Sequence, residues 1–190
     1  MGIPSTLITS SLFARYLSFY KEERVKISNL LDNEFDYNLN LTSEELLEAY
    51  QFARIINHYQ GFNFLSKASI SYSWNLNLSE IARIWTNGFI IRSDLMTELV
   101  TVLKESEDLI SFSIITEQIK KIRPSANKVV SQCILNNIPA PCLSEAVNFL
   151  NGLSTTNSSA NLIQAQRDYF GAHKYQRNDD ENSNYYHTKW

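Results

Sequence analysis

The segment TSEELLEAYQFARIINHYQGF, residues 42–62, decides the fold. Thr42-Ser43-Glu44-Glu45 has the spacing of a capping box. A Thr hydroxyl there can accept from the amide three residues on, and the Glu at that position can reach back to the Thr amide. Behind the cap, Leu46, Leu47, Ala49, Tyr50, Phe52, Ala53, Ile55, Ile56, Tyr59 and Phe62 leave almost no wet face. A helix apolar nearly all round is a buried helix, so this stretch predicts the inner helix of an all-α domain.

The same period continues on both sides. Upstream, Leu7, Ile8, Leu12, Phe13, Tyr16, Leu17 and Tyr20 recur at helical spacing behind Pro4-Ser5, with Lys21 to Arg24 as a solvated end. Residues 33–41 read as a loop. Downstream, Asn77-Leu78-Ser79 opens a short helix through Trp85 that stops near Gly88. Helices follow at 92–105, 113–123 and 125–136, the last two separated by Pro124. Ile138 to Pro141 form a stiff connector. Cys142 to Leu150 is a helix with Gly152 at the left-handed position after it, and Ser159 to Phe170 is a final helix ended by Gly171. Residues 1–171 thus form a helical domain. Ala172 to Trp190 lack periodicity but hold Tyr175, Tyr185, Tyr186 and Trp190, too aromatic for a free tail, so this segment docks on something.

Composition agrees. Among 190 residues there are 5 Gly and 4 Pro, under half the average share of about 12%. Few breakers favour long helices. Lys and Arg number 17 against 20 Asp and Glu, a net charge of −3, which provides no broad basic field for nucleic acid. No run of 18 apolar residues could span a membrane. Gly2, Gly61, Gly88, Gly152 and Gly171 lie at least 19 positions apart, so no glycine-rich loop can cradle a dinucleotide pyrophosphate. Cys133, Cys142 and the 3 histidines show no zinc spacing, and a reduced pair in a cytoplasmic protein is expected.

The densest polar and aromatic cluster is Gln164 to His173. Arg167 sits in the last turn of a helix, and His173 follows Gly171, which could allow a sharp reversal aiming both side chains at one spot. A guanidinium fork with an imidazole suits a phosphate or carboxylate. The residues alone also allow another reading: an Arg paired with Asp168 and a His that covers the helix end. Elsewhere, His58, Trp74 and Trp85 are expected in the core, Arg83 and Arg92 in ion pairs, and Asp179 to Glu181 in an exposed turn.

SANLIQAQRDYFGAH at 159–173 closely resembles the C-terminal signature of decarboxylating 6-phosphogluconate dehydrogenases. Further blocks follow the family's order: SLFARYLS at 11–18, ARIINHYQGF at 53–62, LSEIARIWTNGFIIRS at 78–93, NIPAPCLSEAVNFLNG at 137–152 and YHTKW at 186–190. Phe89 stands where the family often has Cys, and residues 104–128 resemble it less distinctly. The resemblance implies a helical domain that follows a Rossmann domain, and a homodimer in which the tail threads into the partner. By matching motif it implies that Arg15 is a substrate-phosphate ligand. It also implies that Arg167 and His173 are lent by one subunit to its partner's site.

The family reaction oxidises the C3 hydroxyl of 6-phosphogluconate with NADP; carbon dioxide is lost and ribulose 5-phosphate forms. The resemblance places the Lys and Glu that serve as base and acid, and the Rossmann domain that binds NADP, upstream of Met1. The expectation is therefore a chain that supplies substrate ligands and a dimer interface and is inactive alone, with a separate N-terminal half as a possible partner. The alternative is a non-catalytic helical assembly module derived from that enzyme.

Overall fold

The computed structural model describes residues 1–32, 39–106 and 108–190; most of the loop expected at 33–41 lies outside the described residues. The chain divides into two compact units, Met1–Phe149 and Leu150–Trp190. The described residues form eight α-helices and one 3-10 turn, and no strand among them.

In the first unit, α1 (Thr6–Phe19) and α2 (Lys21–Leu30) are separate helices that break at Tyr20, where a single solvated end was expected. Next comes α3 (Ser43–Tyr72), a rod about 45 Å long at 1.5 Å per residue. Its capping box forms as the sequence predicts. The Thr42 amide donates to Glu45 Oε2 at 2.8 Å, and the Glu45 amide donates to Thr42 Oγ1 at 3.1 Å. α3 is not buried all round. Ala49, Phe52, Ile55, Ile56 and Phe62 are buried, while Leu46, Leu47 and Tyr50 are about half exposed. α6 (Ser113–Leu135) packs along α3 with Ile115, Ile119, Ile122, Ala126 and Val129 and covers one side. Polar links fix that pairing: Lys128 Nζ meets Glu45 Oε1 at 2.6 Å, and Ser125 Oγ donates to Glu48 Oε2 at 2.5 Å.

Pro124 lies inside α6 and does not divide it. Proline removes one backbone donor and crowds the preceding turn, which costs about 3 kcal/mol in an isolated helix. The apolar face flanking it, Ile119 and Ile122 before and Ala126 after, is buried and outweighs that local cost.

α4 (Leu78–Trp85) and α5 (Asp94–Glu105) pair beside the C-terminal half of α3. Phe62, Leu78, Ala82, Met96, Leu99, Val102 and Leu103 form one core cluster there, with Trp85 packed against it. Asn77 and Ser93 cap the two helices through their side chains. Gly88, at φ 91°, lies within the connector between α4 and α5. Trp74, expected in the core, is 55% exposed and stacks on Tyr72. It follows Ser73, whose left-handed φ of 55° turns the chain off the end of α3. His58 is half-buried, its Nδ1 2.7 Å from the Arg54 carbonyl, and burial pushes its pKa down, consistent with a structural histidine. Arg83 pairs with Glu80, whereas Arg92 makes no ion pair among the described residues. α7 (Pro141–Leu153) includes Gly152, which is therefore helical and not the left-handed residue expected.

Gln60 shows how α1 is anchored. Ser5 does not cap α1 with its side chain, and its buried hydroxyl has no partner among the described residues. The amide of Leu7, one of the first-turn donors every helix leaves open, bonds instead to the buried Gln60 Oε1 at 3.2 Å, and Gln60 Nε2 donates to Thr6 Oγ1 at 3.0 Å. Gln60→Leu removes this cap from a distance of 53 residues. It is expected to cost about 1–3 kcal/mol in a urea unfolding curve, since a buried amide loses its acceptor. An unchanged midpoint would show that water replaces the cap.

Candidate functional site

The second unit is built on α8 (Ala160–Gly171) and the tail that returns over it. The helix stops at Ala172, which adopts the left-handed conformation (φ 49°) and donates its amide to the Asp168 carbonyl at 2.8 Å. The residue that turns the chain is thus alanine, and Gly171 remains helical. The left-handed backbone costs a non-glycine residue about 1–2 kcal/mol, so the turn needs outside support. Gly171 serves a different purpose. A Cβ at this position would lie 3.0 Å from His173 Nε2 and 3.2 Å from His173 Cδ2. The imidazole therefore rests on the bare backbone at the end of α8, and a side chain there would push it off.

Arg167 is exposed, and its Nη1 donates to Gln164 Oε1 at 3.3 Å. It does not pair with Asp168, because adjacent helical residues do not face each other. Among the described residues its charge meets only a neutral amide and stays available to an anion. Arg15 belongs to the first unit, on α1. It too is exposed, and its guanidinium makes no ion pair among the described residues. The structure thus brings Arg167 and His173 to one end of α8, with Arg15 on a helix of the other unit.

Asp168 is the residue whose importance the sequence did not reveal. It is fully buried and its carboxylate gathers the tail. Oδ1 accepts from the Lys174 amide at 2.9 Å and from His187 Nδ1 at 3.0 Å. Oδ2 accepts from the Thr188 amide at 3.0 Å and from Trp190 Nε1 at 3.2 Å. Burial alone would raise the carboxyl pKa. The bonds from Thr188, His187, Lys174 and Trp190 outweigh it and hold the pKa at about 2. The signal in the sequence was weak: one acid in the final helix, 19 residues before His187.

The tail has its own frame. Tyr175 and Tyr186 exchange two backbone hydrogen bonds of 2.9 and 2.8 Å. The turn between them is organised by Asp180, which accepts from the Asn182 and Asn184 amides and from the Tyr186 hydroxyl. Arg177 and Asp179 form a two-pronged pair, and Asn178 donates to the Thr156 carbonyl. The tail docks on α8 through the polar hub at Asp168, while two of the aromatics that led to the expectation, Tyr185 and Trp190, stay 69% and 61% exposed. Another face of α8 is largely bare: Leu162, Ile163 and Phe170 are 60–77% exposed, and Tyr169, 61% exposed, meets Trp190 edge-on. Among the described residues no three His, Cys, Asp or Glu side chains group as metal ligands, and both cysteines are free thiols. No helix among the described residues is long and apolar enough to cross a membrane.

Comparison with known proteins bears on this arrangement. The family model for "6-phosphogluconate dehydrogenase, C-terminal domain" matches residues 1–190. A decarboxylating 6-phosphogluconate dehydrogenase of Buchnera aphidicola subsp. Schizaphis graminum is 40% identical over 98% of the chain and 41% of its own length. An NAD(+)-dependent decarboxylating enzyme of Bacillus subtilis is 38% identical over the whole chain and 42% of its own length. A solved 6-phosphogluconate dehydrogenase of Plasmodium falciparum, described in its apo form and in complexes with NADP+ and with 6-phosphogluconate, is 36% identical. It superposes with a TM-score of 0.88 over all of this chain and 42% of that one. The chain spans about two fifths of the length of these relatives. With sequence, helical fold and coverage in agreement, the chain belongs to the 6-phosphogluconate dehydrogenase family and carries its C-terminal domain.

Proposed function

We propose that this chain supplies the phosphate-gripping side chains and the dimer surface of an NADP-dependent enzyme that oxidises and decarboxylates 6-phosphogluconate. The observation that carries this reading is the end of α8. An exposed guanidinium without a carboxylate partner among the described residues and an imidazole seated on a bare glycine flank one locked turn. A phosphate monoester carries about two negative charges near neutral pH, since its second pKa is about 6. Arg167 offers it a planar fork of donors, and His173 adds a ring N–H. Arg15, exposed on α1, is in this reading a ligand at the chain's own site, to which a second copy lends its Arg167 and His173.

The widely spaced glycines do not fit a cofactor pyrophosphate, so no hydride-transfer step is assigned to these residues. The acid and base are likewise assigned to the cofactor-binding half of the enzyme. The exposed apolar residues Leu12, Phe13, Tyr16 and Leu17 on α1, and the bare face of α8, are surfaces that a second copy would cover, in the proposed homodimer with exchanged tails. The same surfaces support the second reading, an assembly module without a catalytic part.

Mixing the chain with a cofactor-binding half tests the proposal. The expected result is NADP reduction that depends on 6-phosphogluconate in the mixture and none by the chain alone. Turnover by the pure chain alone would overturn the division of labour. A stable dimer that restores no activity would favour the module reading.

A further inference from the structure

Gln164 contacts both halves of the proposed anion grip. Its Oε1 accepts from Arg167 Nη1, and its Nε2 donates to the carbonyl of Lys174, the residue after His173. The amide of that same Lys174 donates to Asp168 Oδ1. The two side chains lie four residues apart, so they share one face of α8. Between them they hold both backbone polar groups of Lys174, which adopts a left-handed φ of 60° two residues after the left-handed Ala172. Two such residues near each other do not persist without surrounding bonds that over-determine them. These bonds set where the backbone leaves His173, while the other end of Gln164 sets where the guanidinium points.

We propose that Gln164 and Asp168 are positioning residues that hold Arg167 and His173 as one preformed anion-binding pair. This rests on the reading of Arg167 and His173 as phosphate ligands. Neither Gln164 nor Asp168 touches the phosphate. They act by removing freedom that Arg167 and the turn would otherwise lose on binding.

The test uses the active assembly of this chain with its cofactor-binding half, and three variants: Gln164→Met, Asp168→Asn and Arg167→Ala. Methionine keeps the length of glutamine and loses both bonds. Gln164→Met is expected to raise KM for 6-phosphogluconate about tenfold, as the loss of one or two hydrogen bonds implies. The inhibition constant of inorganic phosphate as a competitor should rise in proportion, with KM for NADP unchanged. In the Arg167→Ala background, Gln164→Met should add less than it does alone, because the two side chains act together. Asp168→Asn keeps the volume, replaces an acceptor by a donor, and should shift the same two constants. If Arg167→Ala raises KM and Gln164→Met and Asp168→Asn do not, the positioning role is wrong and the phosphate reading stands. If Gln164→Met raises the KM values of 6-phosphogluconate and NADP alike, its role is merely structural and the proposal also fails. If Arg167→Ala itself leaves both substrate constants unchanged, the phosphate reading fails with it.

Discussion

Arg167→Ala is expected to weaken 6-phosphogluconate binding about 100-fold while leaving the fold intact. Each hydrogen bond from a charged donor is worth about 1.5–3 kcal/mol, and a two-pronged guanidinium–phosphate contact makes two. Loss of the full fork would cost more than the factor named, but water and the remaining ligands recover part of it. The side chain is exposed and among the described residues bonds only to Gln164, so the thermal midpoint should move little. Arg167→Lys should restore only part of the affinity, because an ammonium is a point charge and cannot match two phosphate oxygens in a plane. Steady-state kinetics of the assembled enzyme across a range of salt concentrations provide the check. The wild type should lose affinity with salt more steeply than Arg167→Ala, since one ionic contact is missing in the variant. Equal KM values in the two proteins would remove the basis for the proposed site.

The second large effect is expected at Asp168. Asp168→Ala leaves the amides of Lys174 and Thr188, the indole of Trp190 and the ring of His187 without their common acceptor. Four hydrogen bonds to one carboxylate are lost together, and bonds to a charged acceptor are the stronger kind, so the tail should open. Hydrogen exchange at Lys174, Tyr175, Tyr186 and Thr188 should become fast, and proteases should cut after Lys174 or Arg177. Amides of α3 and α6 should keep their protection, because the first unit has its own core. Continued protection of the tail in this variant would show that the hub is dispensable.

The same contact predicts a pH effect. Folding lowers the Asp168 pKa from 3.8 to about 2, so it favours the ionised form. Its contribution to tail docking is complete above the unfolded value and is lost as pH falls from about 4 towards 2. Asp179 and Asp180 are also lowered, the first by Arg177 and the second by the Asn182 amide and Tyr186, and they steepen the loss in the same direction. Protection of the tail amides, taken relative to the intrinsic exchange rate at each pH, should therefore fall on acidification before that of the helical core of the first unit.

Much of this protein could be read from residue order because the relevant rules act over three or four positions. The capping box at Thr42, the opening of α4 at Asn77 and the apolar periods of α3 and α6 are local patterns, and the structure contains each of them. The candidate ligands Arg15, Arg167 and His173 were legible as motif residues. What the residue order could not supply depends on contacts made across the chain. Pro124 stays within a helix because the apolar face on either side of it is buried. α1 is capped by a glutamine 53 residues away. Gly171 is small to seat an imidazole, not to turn the backbone. Asp168 turns from its neighbour Arg167 to four donors brought back by the tail. Local hydrogen bonding sets which residues are helical, while burial selects the partner of each polar group, and burial exists only once the chain has folded back on itself.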